Sequence, residues 1–106
     1  MDLSIKRFVH KRCSPNWELR PEPIPFCDLT FVMQGSAVYY SESGAHLLRA
    51  GQAVFLPEGS FRCAQTKGME CAAFNFCASK PLPLPAGILD WENDKLLLRY
   101  FADFEM

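Results

Sequence analysis

The groups best able to do covalent or metal chemistry in this chain are five cysteines, Cys13, Cys27, Cys63, Cys71 and Cys77, and two histidines, His10 and His46. A zinc centre wants clustered thiolates, or thiolates and imidazoles at short separations. Here the cysteine count is odd and no pair has C-x-x-C spacing. Free thiols packed as small hydrophobes are the expected state. A redox or metal sensor would require two or more of these sulfurs to meet in space. His10 stands beside Lys11 and Arg12, and His46 follows Ser43-Gly44, so both read as surface residues. No Ser–His–Asp order or Cys–His pair is indicated, and no catalytic residue is assigned. What remains is charge without an evident nucleophile: Asp28, Arg62, and the basic pairs Lys6-Arg7 and Lys11-Arg12. The basic pairs read either as a docking or phosphate patch or as a solvated face.

These groups must be positioned by strands. Residues 51–62, GQAVFLPEGSFR, hold a hydrophobic strand (53–56) between Gly51 and Pro57. Pro57-Glu58-Gly59 then turns the chain into a second strand at 61–65, since glycine and proline mark strand ends. Residues 5–10 read as a first strand, Ser14-Pro15-Asn16 as a turn and 17–20 as a short strand. Residues 21–25, PEPIP, lack three backbone donors and are expected at an edge or in a loop. Residues 27–33 are rich in β-branched and aromatic types. Gln34-Gly35 reads as a hairpin, with 36–41 as the return strand. Residues 45–49 pair back, and Lys67-Gly68 is expected to turn into a strand at 69–77. About eight short strands at this spacing predict a sandwich or barrel.

Residues 80–85, KPLPLP, favour extended polyproline geometry and act as a stiff connector. From residue 90 the period changes. Leu96, Leu97, Tyr100, Phe101 and Phe104 recur at helical spacing, with Asp90 as N-cap. The expected organisation is a barrel over 1–85 and a linker or dimerisation helix over 86–106, in one domain. With 106 residues, 49% hydrophobic and 22% charged, the chain has the make-up of a globular domain with its own core. A net charge of −1 provides no general field for nucleic acid. There is no run of about eighteen apolar residues and no signal-peptide h-region, so a cytoplasmic location without membrane contact is expected.

The spacing of Gly51, Pro57, Gly59 and Arg62 resembles the second motif of the cupin superfamily, which usually ends on a metal-binding histidine. Arg62 stands in that place. Taken with Leu29 to Met33, Gln34-Gly35, Ser43-Gly44, Leu48 to Gly51 and Phe74-Asn75-Phe76, the pattern resembles the N-terminal effector-binding domain of AraC-type transcriptional regulators. The resemblance covers roughly residues 5–79. It implies a mainly β, cupin-type double-stranded β-helix, a jelly-roll barrel, followed by a C-terminal α-helix. It implies a homodimer through Leu97, Tyr100, Phe101 and Phe104, or else core packing of that stripe within one copy. It also implies DNA contact only through a helix-turn-helix domain absent from this sequence, which is therefore expected to be a piece of a longer regulator.

The departures from the family point away from catalysis. The first cupin motif supplies an H-x-H pair and a glutamate. Here those positions fall near Glu22 and Ile24, or Pro21 and Pro23, and on Asp28. One acidic ligand cannot hold a transition metal that needs three or four donors, so no metal and no cofactor are expected. Alternate strand residues line a barrel interior. Asp28 and Thr30 are thus expected in the cup, with Arg62, Ser60 and Ala64 inward from their strand. Leu29, Phe31 and Met33 belong to the other face, as do Phe74 and Phe76 relative to Asn75. Arg62 either anchors an anionic or hydroxyl-rich effector, such as a sugar or organic acid, or pairs with Asp28 or Glu22 and plugs the site. Trp17 is either a stacking platform or core. The expected function is effector sensing without enzymatic turnover. A small isomerase-like cupin enzyme and a filled, non-catalytic interaction protein are the competing readings.

Overall fold

The computed structural model describes residues 3–41, 44–79 and 86–89. Among the described residues seven strands are formed: β1 (Leu3–Cys13), β2 (Glu18–Pro23), β3 (Cys27–Ser41), β4 (Gly44–Arg49), β5 (Ala53–Leu56), β6 (Phe61–Ala78) and β7 (Gly87–Leu89). The sheet runs β1-β6-β3-β5-β7, with β2 joined to β6 and β4 joined to β3; the ladders are antiparallel. The expected mainly β architecture is present, and no helix occurs among the described residues. The helix expected over residues 90–106, with its stripe of Leu97, Tyr100, Phe101 and Phe104, lies outside them.

Two expected turns are not turns. Gln34-Gly35 does not close a hairpin, and Lys67-Gly68 does not reverse the chain. β3 and β6 run through these points as strands of 15 and 18 residues. They pair from Cys27 opposite Phe76 to Tyr39 opposite Ala64, with register shifts at Val32/Gln34 and Ser36/Ala37. The glycines mark bulges, where one extra residue bends a strand without ending its ladder. Gly35 has φ +77°, and a Cβ there would collide with the carbonyl oxygen of Gly68. The strands can therefore cross and bend at this point only with a bare backbone. The bend folds the sheet over, so that Asp28 and Thr30 of the first half of β3 line the same cavity as Tyr39 of its second half.

Other expectations hold. Trp17 N–H donates to the Ser14 carbonyl and Ser60 N–H to the Pro57 carbonyl, closing the turns read from proline and glycine. Among the described strands the proline-bearing β2 pairs only with β6 and so stands at an edge, as its missing donors require. β7 was not expected: residues 87–89 extend the sheet against β5.

Two apolar clusters flank the sheet. The inner one gathers Val32, Ala37, Tyr39, Leu48, Val54, Ala64, Met69, Cys71 and Cys13. The other gathers Leu29, Phe31, Ala53, Phe55, Phe74, Phe76 and Leu89. Period-two alternation separates them, sending neighbouring residues of one strand to opposite sides.

Candidate functional site

The inner cavity has a volume of about 90 Å³ and is entered by side chains from β1, β2, β3 and β6. Its deepest charge is Asp28, 2% exposed on β3. Thr30, two residues on and therefore on the same face, donates from Oγ1 to Asp28 Oδ1 at 2.8 Å. Arg62, at the start of β6, donates from a guanidinium nitrogen to Asp28 Oδ2 at 2.9 Å. A buried carboxylate persists only with such partners, because burial removes its hydration. The guanidinium also lies 5.4 Å from the centre of the Phe26 ring. Tyr39 closes the far wall. Burial first, then the Asp28 charge, push its phenol well above the ordinary range, so it remains a neutral donor beside Thr30.

Of the residues expected in the cup, Asp28, Thr30, Arg62, Trp17 and Asn75 line the cavity. Asn75 brings a buried side-chain oxygen with no hydrogen-bond partner among the described residues. Glu22 is a correction. It stands opposite Arg62 in the β2–β6 ladder, but its side chain is exposed, and the guanidinium turns to the buried carboxylate instead. The hydrated carboxylate has little to gain from the pair, whereas the buried one requires it. Ser60 departs too: it lines a second cavity of about 640 Å³, between Tyr39, Tyr40, His46, Leu56 and Phe61. Tyr39 is the wall shared by both cavities.

The basic cluster of β1 is split by strand alternation. His10 and Arg12 face outward to Glu70, at 2.7 and 3.5 Å. Arg7 and Lys11 are of the opposite parity and line the cavity with Val9. Lys11 is half-buried and its ammonium sits 5.5 Å from the centre of the Trp17 ring. The sequence alone does not separate the two sets. The signal was the odd-numbered spacing of Arg7, Val9 and Lys11, which means something only once the β1–β6 pairing shows which parity faces inward. Cys13 and Cys71 are buried free thiols in the inner cluster, and Cys27, Cys63 and Cys77 are half-buried and free. Burial, then the neighbouring Cys13, push the Cys71 thiol up to about 12.

The positions that the motif resemblance sets against metal ligands do not form a donor set here. Arg62 is a cation, Ile24 is hydrocarbon and 2% exposed, Glu22 points to solvent, and Asp28 already accepts from the guanidinium and from Thr30. A single engaged carboxylate does not fit a group that requires three or four convergent ligands. Among the described residues no three of His, Cys, Asp and Glu gather at one point. No described helix is long and apolar enough to cross a membrane.

No protein-family model matches the sequence, and no curated protein matches it significantly. Solved structures do. The chain is similar to the protein YhaK from Escherichia coli, at 17% identity and a TM-score of 0.65, over 88% of this chain and 45% of that one. It is similar to a putative glyoxylate induced protein from Pseudomonas aeruginosa at 16% identity and a TM-score of 0.63, over 86% of this chain and 41% of that one. A cupin domain from Bordetella pertussis aligns at 13% identity and a TM-score of 0.52, over 73% of this chain and 93% of that one. The chain spans less than half the length of the first two. The fold is that of a cupin domain, and the likeness carries the fold alone.

Proposed function

We propose that this chain is a ligand-sensing cupin domain that recognises a small anionic or hydroxylated effector in a metal-free cup and does not transform it. The observation that carries this reading is the buried Arg62–Asp28 pair, 2.9 Å apart, formed by the two residues that the motif resemblance sets against cupin metal ligands. A guanidinium and an engaged carboxylate offer hydrogen bonds to a ligand but no open coordination position. Trp17, Thr30, Tyr39 and Asn75 complete a polar, partly aromatic lining of the kind that recognises small molecules.

The wider assignment is to the sensor half of an AraC-type regulator, cytoplasmic and homodimeric through residues 90–106. DNA contact would belong to a helix-turn-helix domain outside this chain. Effector binding would act by favouring one of two arrangements of the paired copies. The support is the motif pattern around Gly51, Pro57 and Gly59 together with the replacement of metal ligands by Arg62. The test is a thermal-shift screen of short organic acids and sugars on the parent and on Arg62→Ala. Stabilisation of the parent that is lost in the variant is expected. A micromolar, stoichiometric transition-metal complex held in the cup, or turnover of a bound compound, would overturn the reading.

A further inference from the structure

We propose that Cys13, Met69 and Cys71 bind a single copper(I) ion through their sulfurs, in the partition between the cup and a neighbouring groove. This goes beyond the sensing reading and uses none of the positions that the motif resemblance sets against metal ligands. A metal role for the cysteines requires two or more sulfurs to meet in space, and the β1–β6 ladder brings three together. Cys13 stands directly opposite Met69, and Cys71 follows Met69 by two residues, so the three side chains leave one face. Directly opposed residues carry their Cβ atoms about 4.5–5.5 Å apart. All three side chains are buried in the inner cluster, at 6%, 5% and 1% exposure. The Cys13 and Cys71 thiols are in hydrogen-bonding contact. Met69, with three rotatable bonds, adapts its thioether to that pair. Met69 and Cys71 line the cup, whereas Cys13 and Met69 line a groove of about 290 Å³ beside the bare backbone of Gly35 and Gly68. Arg62 and Asp28 do not line that groove, so an ion entering from it leaves their pair in place.

The donor set selects the ion. Thiolate and thioether sulfurs are soft ligands, of the kind that favour copper(I). Structural zinc takes four donors from Cys, His, Asp or Glu, and among the described residues no third residue of these types joins the two cysteines. Binding exchanges the two thiol protons for one Cu⁺. It leaves a bis-thiolate complex of net charge −1, releases two protons to solvent and changes no oxidation state. Coordination to the metal is what removes the protons from such buried thiols. A buried anion needs a countercharge. Lys11 lies directly across the ladder from Cys71, half-buried, and its charge favours the thiolate there.

The experiment titrates copper(I), supplied without oxygen as its bicinchoninate complex. The proteins are the parent, Cys13→Ala, Cys71→Ala, Met69→Leu and Asp28→Asn, each first shown to melt cooperatively. The parent is expected to take one equivalent and to gain a thiolate-to-copper absorption in the ultraviolet. Each cysteine variant should weaken binding by more than about a hundredfold, beyond what loss of an outer-shell partner does, and Met69→Leu by about tenfold. X-ray absorption of the copper-loaded parent should show sulfur neighbours alone, which carries the test where a cysteine variant does not fold. Uptake unchanged in either cysteine variant overturns the proposal, as do nitrogen or oxygen ligands on the copper, or no uptake by the parent. None of these results bears on the acid and sugar screen of the cup. Copper kept in both cysteine variants but lost in Asp28→Asn places the metal in the cup, and overturns this proposal and the metal-free reading together.

Discussion

Alternate residues of one strand do opposite work in this molecule. Along β3, Asp28 and Thr30 turn into the cup and hold a buried charge network, while Leu29 and Phe31 turn away into an aromatic layer with Phe74 and Phe76. Phe31 meets Phe74 edge-on, with ring centres 6.1 Å apart, and Phe8 stacks against the same ring at 4.6 Å. Both sets are buried almost completely. The aromatic layer gains from every square ångström it removes from water. The inner set must offset the desolvation of a carboxylate and a guanidinium before it contributes anything. The difference teaches that hydrocarbon in the aromatic layer contributes to the fold residue by residue, whereas the charge pair on the inner side, set beside an apolar cluster of its own, contributes only while both partners are present. The two charges of the cup can therefore be replaced together at modest cost to the fold, but not one at a time.

The largest expected effect breaks the layer. Phe76 is fully buried, so Phe76→Ala should lower stability by about 3–5 kcal/mol in urea unfolding. A loss below about 1 kcal/mol would show that the aromatic side is not the structural one. Next comes the cup. Arg62→Ala strips the countercharge from Asp28 and should cost about 3 kcal/mol. The double substitution Asp28→Leu with Arg62→Met should return to within about 1 kcal/mol of the parent, or exceed it, because it removes both desolvated charges together. If the double variant is as unstable as the single one, the pair is holding the fold and the contrast collapses. No comparable second-site relief is expected for Phe76→Ala.

How much of this was legible in the sequence depended on the kind of signal. Parity was legible: Asp28 and Thr30 against Leu29 and Phe31, and Asn75 against Phe74 and Phe76, follow from the two-residue repeat of a strand. The repeat fails at Met33, which is 42% exposed because the bulge after Val32 shifts the register. Gln34-Gly35 and Lys67-Gly68 read as reversals in the sequence, whereas the strands run through both. A glycine beside a polar residue marks a positive φ, and both a hairpin and a bulge use one. Only the partner strand tells them apart. Lys11 was missed for a related reason. Charge predicts exposure, yet here the half-buried Lys11 lines the cavity while Phe8, of the opposite parity, is 53% exposed. Which parity of β1 points inward is decided by its pairing with β6, a contact some sixty residues distant in sequence.

The smallest expected effect separates the two sides by pH. Burial first, then Cys13, raise the Cys71 thiol from its ordinary 9.0 to about 12. Below about pH 9 both folded and unfolded chains hold this proton, so stability is unaffected. Above it the unfolded chain releases the proton while the native state keeps it, and stability falls as pH rises towards 12. Tyr39, also raised, adds to the fall in the same direction above its ordinary 10.0. The loss from the thiol by pH 10.5 should be on the order of 1–2 kcal/mol, read from urea midpoints at pH 8 and 10.5. Cys71→Ala should shallow this slope whatever it does to absolute stability. The core of the aromatic layer (Leu29, Phe31, Ala53, Phe55, Phe74, Phe76 and Leu89) contains no titrating side chain. Phe76→Ala should therefore lower both midpoints by a similar amount and leave the slope intact. If Cys71→Ala runs parallel to the parent from pH 8 to 10.5, the thiol is not held neutral by the cup's interior. The electrostatic contrast between the two faces of the sheet would then be lost.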